Sequence, residues 1–232
     1  MIELYGGQTP NVFKPLIALE DLGVEYRRVP VDILKGEQFA PAFLAISLNN
    51  RVPAIIDHDP VDGGGALSVF ESGAILLYLG DKYRALIPQD ARGRSAVTEW
   101  VIWQMAGQGP MLGQAGHLRN YAPERIPYAT QRYTNEAQRL YRVLNTRLAG
   151  REYIAGDYSI ADIASWPWNF FRAQHGVTIE DYPEVHRWFK SIEAARRCAE
   201  FSGGANQGES KCDRSRAAWH RQHGSRLGVT DV

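Results

Sequence analysis

A proline in front of a short apolar run is the feature that most limits the folds open to this chain. The run Val52-Pro53-Ala54-Ile55-Ile56 follows a polar stretch. Because proline has no backbone N–H, Pro53 can only begin a strand or lie at a sheet edge. A glycine-rich turn follows at 62–65, then a second strand-like run at 66–70 and a helical pattern from Ser72. This order predicts an antiparallel hairpin that is followed by a helix.

Two positions in this segment predict a ligand site. The Val52–Pro53 bond can be cis, and a cis bond would turn the Val52 backbone outward, where it could pair with an extended peptide. The helix start at Glu71-Ser72 leaves backbone N–H groups free for a carboxylate. A simple edge strand and a simple serine cap are the alternative, and each position taken alone favours it. Their combined order favours the ligand site.

The residues before this segment predict a parallel crossover. Apolar spacing indicates a strand at 2–5, a helix at 11–22 that Gly23 ends, and a strand at 25–33. A strand, a helix and a strand with short connections form a right-handed parallel unit. The first predicted domain, 1–86, is therefore a βαβ unit followed by ββα.

The second half of the chain predicts helices alone. From Ala91 the apolar residues follow helical spacing, and Pro88 marks the boundary, so we predict an all-α domain over 92–201. The sequence Ser159-Ile160-Ala161-Asp162 is typical of a capping box, with Asp in the place of Glu or Gln. The glycine-rich, charged segment 202–232 is predicted to be a flexible tail.

Composition excludes several classes of function. Lys and Arg number 26 and Asp and Glu also number 26, so the formal net charge is zero and no nucleic acid or membrane partner is expected. No apolar segment approaches the ~20 residues of a membrane helix. The cysteines are Cys198 and Cys212, and Met1-Ile2-Glu3-Leu4 is not the start of a signal peptide, which favours the cytoplasm. No metal site is expected, because His220 and His223 alone are too few ligands.

Six segments carry a family resemblance: Thr9-Pro10-Asn11, 35–39, 49–53, 70–73, 109–114 and 158–162. Taken in order, they resemble the cytosolic glutathione transferases, and most closely their bacterial Nu class. The resemblance implies a thioredoxin-like domain followed by an all-α domain, glutathione as co-substrate, and a homodimer. It also implies that bound glutathione reduces small disulfides, the reaction for which the class is mainly known.

The resemblance further implies the residues of the site. Thr9 and Asn11 would lie at the sulfur of glutathione. The Val52 backbone would pair with its cysteinyl part, and Glu71 with Ser72 would hold the γ-glutamyl ammonium and carboxylate. The implied glutathione-binding set is Gln38 at the glycyl end, Arg51, Val52, Pro53, Glu71, Ser72 and Arg132. Arg132 would reach a neighbouring subunit's ligand, although a solvated charge on its helix is the alternative.

The chemistry depends on how a thiol is activated. The first domain contains no cysteine, so the thiol must come from the ligand. Thr9 is predicted to be the N-cap of the first helix and Pro10 its first residue, so the helix N-terminus would point at the sulfur. A threonine hydroxyl can accept a backbone N–H and still donate its own proton to a thiolate. The alternative that Thr9 only caps the helix and has no catalytic role stays open. Tyr5 is a rival candidate for the hydroxyl that donates to the sulfur.

Two other functions stay open. A transferase that conjugates glutathione to electrophiles would share every glutathione contact and differ in its electrophile pocket. A non-catalytic glutathione-binding module would keep the scaffold without activating the sulfur. The second half of the site, meaning the part of the ligand cleft that would hold the second glutathione, is open as well. Its candidate residues could equally belong to the core. Those candidates are Trp103, Met105, Met111, Trp166 and Trp168.

Overall fold

The computed structural model describes residues 1–200, with side chains described to residue 195. Two compact units divide this range. One contains Met1–Gly109 and Ser159–Phe170, and the other contains Pro110–Tyr158 and the chain from Phe171 onward. The domain limits expected from the sequence, between 86 and 92, stay a prediction. The segment 202–232 and Cys212 lie outside the described residues.

A mixed four-stranded sheet forms the centre of the first unit within residues 1–200. Its strands are β1 (Ile2–Tyr5), β2 (Tyr26–Val29), β3 (Ala54–Asp57) and β4 (Leu67–Phe70), in the order β2-β1-β3-β4. Strand β1 is parallel to β2, whereas β3 is antiparallel to both β1 and β4. The predicted crossover and hairpin are confirmed. Strand β2 is shorter than the predicted 25–33, because Pro30 cannot donate a ladder hydrogen bond.

The helices follow the predicted order. They are α1 (Pro10–Leu22), α2 (Pro41–Leu44), α3 (Ser72–Tyr83), α4 (Ala91–Trp103), α5 (Gly109–Asn120), α6 (Pro127–Leu148), α7 (Ile160–Ser165) and α8 (Pro183–Glu200). Short 3₁₀ segments occur at Glu37–Phe39, Trp166–His175 and Ile179–Asp181, and a π-helical turn at Gln104–Gln108. The sequence did not predict α2, because one helical turn is too short to show a periodic pattern.

Local signals fix the helix ends. Thr9 caps α1, and Gly23 ends it in the left-handed conformation, with φ 65°. At α7 the Ser159 N–H donates to Asp162 Oδ2 at 3.1 Å, and the Ser159 side chain accepts from the helix backbone. The predicted capping box is therefore present.

Each unit has its own apolar core. In the first unit, α1, α3, α4 and α7 pack together, and α3 contributes the fully buried Ile75, Leu76 and Leu79. In the second unit α6 packs against α8, which buries Trp188 and Phe189. Each such side chain contributes roughly 1.5–3 kcal/mol on burial. None of the helices in the described range is long and apolar enough to cross a membrane.

Candidate active site

The N-terminus of α1 has the predicted capping geometry. Thr9 is extended, with φ −129° and ψ 154°, and its Oγ1 accepts the Val12 N–H at 3.3 Å. Pro10 is the first helical residue. Because Oγ1 acts as the acceptor in this bond, the hydroxyl proton of Thr9 can still be donated to a ligand.

Asn11 in the first turn of α1 is held by an aromatic side chain. The Trp168 indole Nε1 donates to Asn11 Oδ1 at 3.2 Å. A carboxamide has one oxygen that accepts and one NH₂ group that donates. Since the oxygen of Asn11 is engaged by the indole, its NH₂ group is the part left to bind a ligand. Trp168, a candidate for the second half of the site, therefore contacts a predicted catalytic side chain.

Tyr5, the rival donor, is engaged elsewhere. Its hydroxyl donates to Glu3 Oε2 at 2.6 Å, and its ring packs against the apolar cluster of Val31, Phe43 and Ala54. Burial and the Glu3 hydrogen bond raise the pKa of Tyr5 to about 12. A hydroxyl that is already bound to a carboxylate is a poor donor to a second anion, so the geometry favours the α1 N-terminus over Tyr5.

The predicted backbone-pairing position lies beside the start of α1. The Val52–Pro53 bond is cis, and Pro53 is buried. No hydrogen bond among the described residues uses the backbone N–H or C=O of Val52. A Cβ built at Gly6 would lie 2.6 Å from Val12 Cγ2 and 3.4 Å from Val52 Cβ, so glycine permits this close approach.

The predicted carboxylate-binding position lies at the first turn of α3. Glu71 has a φ of 71°, which is rare for a residue with a side chain, and Asn49 Nδ2 donates to its Oε1 at 3.3 Å. Ser72, the first residue of α3, is buried. A Cβ at Gly73 would lie 2.8 Å from Met105 Cγ, so glycine lets Met105 approach the helix start.

Lys14 is the site residue that the sequence analysis missed. It is 1% exposed, and its Nζ donates to Gln104 Oε1 at 2.6 Å and to Ser72 Oγ at 3.4 Å. Burial lowers the pKa of Lys14 to about 7, and the charge of Glu71 partly offsets that effect. The sequence could have revealed Lys14 by its position, because it follows Asn11 by three residues and so lies about one turn further along α1, on the buried side of that helix.

Gln38 and Arg51 make no hydrogen bond to this cluster among the described residues. Gln38 lies in the 3₁₀ turn, and its buried Oε1 has no hydrogen-bond partner among the described residues. Arg51 is exposed, and its carbonyl accepts from Ser47 Oγ at 2.9 Å. Arg132 belongs to the second unit, where it is exposed on α6.

Arg132 lines a cavity of about 750 Å³ within the second unit. The side chains around it are Met111, Tyr128, Gln131, Arg132, Tyr133, Asn135, Glu136, Arg139 and Arg142. Met111, a candidate for the second half of the site, is among them. Within residues whose side chains are described, no group of three or more His, Cys, Asp or Glu could hold a metal ion.

Comparison with known proteins identifies the family. A family model described as the N-terminal domain of glutathione S-transferase matches residues 1–81, and one described as its C-terminal domain matches residues 127–195. The chain therefore belongs to the glutathione S-transferase family.

Individual relatives show which members of the family the chain is similar to. The chain is 46% identical over 214 residues to the disulfide-bond oxidoreductase YfcG of Escherichia coli, covering 92% of this chain and 100% of that protein. A solved glutathione transferase from Burkholderia graminis, with two glutathione molecules bound per subunit, is 44% identical, with a TM-score of 0.79 over 82% of each chain. A Pseudomonas putida glutathione transferase with one glutathione disulfide bound is 38% identical, with a TM-score of 0.77 over 82% of this chain and 85% of that one.

Proposed function

We propose that this protein is an enzyme that uses glutathione to reduce small disulfides. The observation that carries the proposal is the start of α1, where Trp168 engages the oxygen of Asn11 and leaves its NH₂ group for an anion. The Thr9 hydroxyl proton and the Asn11 backbone N–H, which makes no hydrogen bond among the described residues, add to this anion-binding capacity. The naming of a close relative as a disulfide-bond oxidoreductase supports the same reaction.

The thiol in this reaction comes from glutathione, because residues 1–197 contain no cysteine. Asn11 and Thr9 lower the pKa of the bound thiol, and the proton leaves to solvent. The thiolate attacks one sulfur of the substrate disulfide, a glutathione–substrate S–S bond forms, and the original S–S bond breaks. The departing thiolate takes up a proton.

A second glutathione completes the reaction. Its thiolate attacks the glutathione sulfur of the mixed disulfide, releases the second substrate thiol and forms glutathione disulfide. One disulfide and two glutathiones thus give two thiols and one glutathione disulfide. We propose that the site holds both glutathiones together, and the relative with two glutathiones per subunit supports this arrangement.

Binding of the first glutathione follows from the same residues. The backbone of Val52, which has no hydrogen bond among the described residues and is followed by Pro53, would pair with the cysteinyl unit as an added strand. Glu71 would bind the γ-glutamyl ammonium, and Ser72 with the α3 backbone N–H groups would bind its carboxylate. The oxygen of Gln38, which has no partner among the described residues, would accept a hydrogen bond from the glycyl N–H of glutathione. Arg51 directly precedes Val52 in the chain and would lie at the same part of the site.

The oligomer and its compartment are part of the proposal. We propose a homodimer in which Arg132, exposed on α6, reaches the ligand of the second subunit. Light scattering should then give twice the mass of 26.0 kDa. We also propose a cytoplasmic location, because a reaction that consumes glutathione needs a reducing compartment. Cell fractionation would test this.

Steady-state kinetics test the proposed reaction. The rate of reduction of a small dialkyl disulfide by glutathione is compared with the rate of conjugation to an activated aryl chloride. Fast reduction with weak conjugation would support the proposal. Fast conjugation with little reduction would make the protein a conjugating transferase instead, and the absence of both activities with retained glutathione binding would make it a binding module.

A further inference from the structure

Lys14 is a buried cation without a carboxylate partner in direct contact. The polar atoms around its Nζ are Gln104 Oε1 at 2.6 Å, Ser72 Oγ at 3.4 Å and Met105 Sδ at 3.9 Å. All three are neutral. Burying a charge is costly unless an opposite charge or strong hydrogen bonds compensate. The surroundings of Lys14 therefore lack the anion that a buried ammonium requires.

The local structure holds this ammonium under the first turn of α3. Gln104 is fully buried in the π-helical turn that follows α4, and π-helical turns occur often at functional sites. The Nζ of Lys14 donates to Ser72 Oγ, so the hydroxyl proton of Ser72 must be directed to another acceptor. The acceptor now within reach is Met105 Sδ at 3.6 Å, which is a weak one.

We propose that Lys14 is a positioning residue that supplies, through Ser72, the counter-charge for the γ-glutamyl carboxylate of glutathione. The ammonium fixes the oxygen of Ser72, and the serine proton is donated to the ligand carboxylate. This proposal rests on the proposed use of glutathione. It assigns the recognition of the carboxylate to a residue that does not itself touch the ligand.

Protonation of Lys14 is then coupled to binding. Burial holds the pKa of the free Lys14 near 7, so a carboxylate at Ser72 should raise it and glutathione binding should take up a proton. Among the described residues, Glu71, directly before α3, is the charged group that acts on Lys14. Asp162 on α7, which packs against α1, accepts from the Ser159 N–H instead.

Calorimetry with S-methylglutathione tests this coupling without interference from the thiol. Binding is measured at pH 7.5 in two buffers of different ionisation enthalpy, which gives the number of protons taken up. We expect Lys14→Met to bind at least ~10-fold more weakly and to take up fewer protons than the unaltered protein. Lys190→Met, which removes an exposed lysine of α8, should match the unaltered protein in both.

The outcomes separate a positioning role from a structural one. Binding of K14M within twofold of the unaltered protein would overturn the proposal, and so would weaker binding with unchanged proton uptake. If K14M does not fold, Ser72→Ala decides, because the loss of the relay should lower the proton uptake, and an unchanged uptake would contradict it. A protein that binds S-methylglutathione but reduces no disulfide would refute the proposed function while leaving Lys14 its role. No binding at all would refute both.

Discussion

Replacement of Asn11 by alanine tests the activation of the thiol most directly. The Asn11 amide is the donor that the structure orients, since its oxygen is engaged by the Trp168 indole at 3.2 Å. The Asn11→Ala substitution removes this donor and leaves the Thr9 cap of α1 in place. We therefore expect the helix to remain and the stabilisation of the thiolate to fall.

The size of the effect follows from the hydrogen bond that is lost. A hydrogen bond to a charged group contributes ~1.5–3 kcal/mol, and the lower value applies because Asn11 is half-exposed. Since one pKa unit corresponds to 1.36 kcal/mol, the thiol pKa should rise by about one unit. At a pH below both pKa values the thiolate fraction, and with it the rate, should fall about tenfold.

The assay is the pH dependence of disulfide reduction at saturating glutathione, from pH 5.5 to 9.5. The N11A profile should have its midpoint about one unit higher than that of the unaltered protein and should approach it at high pH. Trp168→Phe, which keeps a ring but lacks the indole N–H, should shift the midpoint in the same direction by less. A slower N11A enzyme with an unchanged midpoint would refute the argument, because Asn11 would then act on position and not on pKa.

Thr9→Ala should lower turnover and reduce the free energy of unfolding in urea by ~1 kcal/mol, whereas Thr9→Ser should preserve both. Equal losses in the two variants would contradict the role of the Thr9 hydroxyl as the cap of α1. Tyr5→Phe should leave turnover unchanged, because the hydroxyl is bound to a carboxylate; a large loss would move the activation to Tyr5. Asp57→Asn should destabilise the protein by roughly 1.5–3 kcal/mol in urea, because it removes the buried carboxylate to which Lys82 and the Tyr78 hydroxyl donate. Burial lowers the pKa of His175 to about 4 from 6.5, so its contribution to stability is complete above pH 6.5 and is lost as the pH falls toward 4. His175→Gln should flatten the urea stability profile across that range.

The fold was predictable where single residues determine the backbone locally. Pro53 and Gly23 limit a strand and a helix whatever surrounds them, and the Ser159 capping box marks the start of α7. The helix α2 and the 3₁₀ turn before it have no such marker. They are too short to show a period, so the connection between β2 and β3 could not be drawn from the sequence.

The helix ends at the candidate site were predictable from the sequence, but the contacts between its residues were not. Thr9 and Ser72 lie at helix ends, which leave a clear local signal. The contact between Asn11 and Trp168 joins residues 157 positions apart, and that between Lys14 and Gln104 joins residues 90 apart. No periodic pattern encodes such pairs, because they depend on how separate helices pack.

Helix α1 connects the two ends of the proposed ligand. Its first turn would present Asn11 to the sulfur, and one turn later Lys14 donates to Ser72 at the start of α3. Because both residues belong to one short helix, a shift of α1 would move the sulfur-binding and the carboxylate-binding groups together. The buried Lys14 therefore ties the placement of α1 to that of α3, and correct seating of the γ-glutamyl carboxylate becomes a condition for correct placement of the thiolate donor. The first unit contains no cysteine, so the reactive sulfur belongs to the ligand. Only the binding of the rest of that ligand can then fix the position of the sulfur. A rigid, charged contact beneath the ligand serves this purpose.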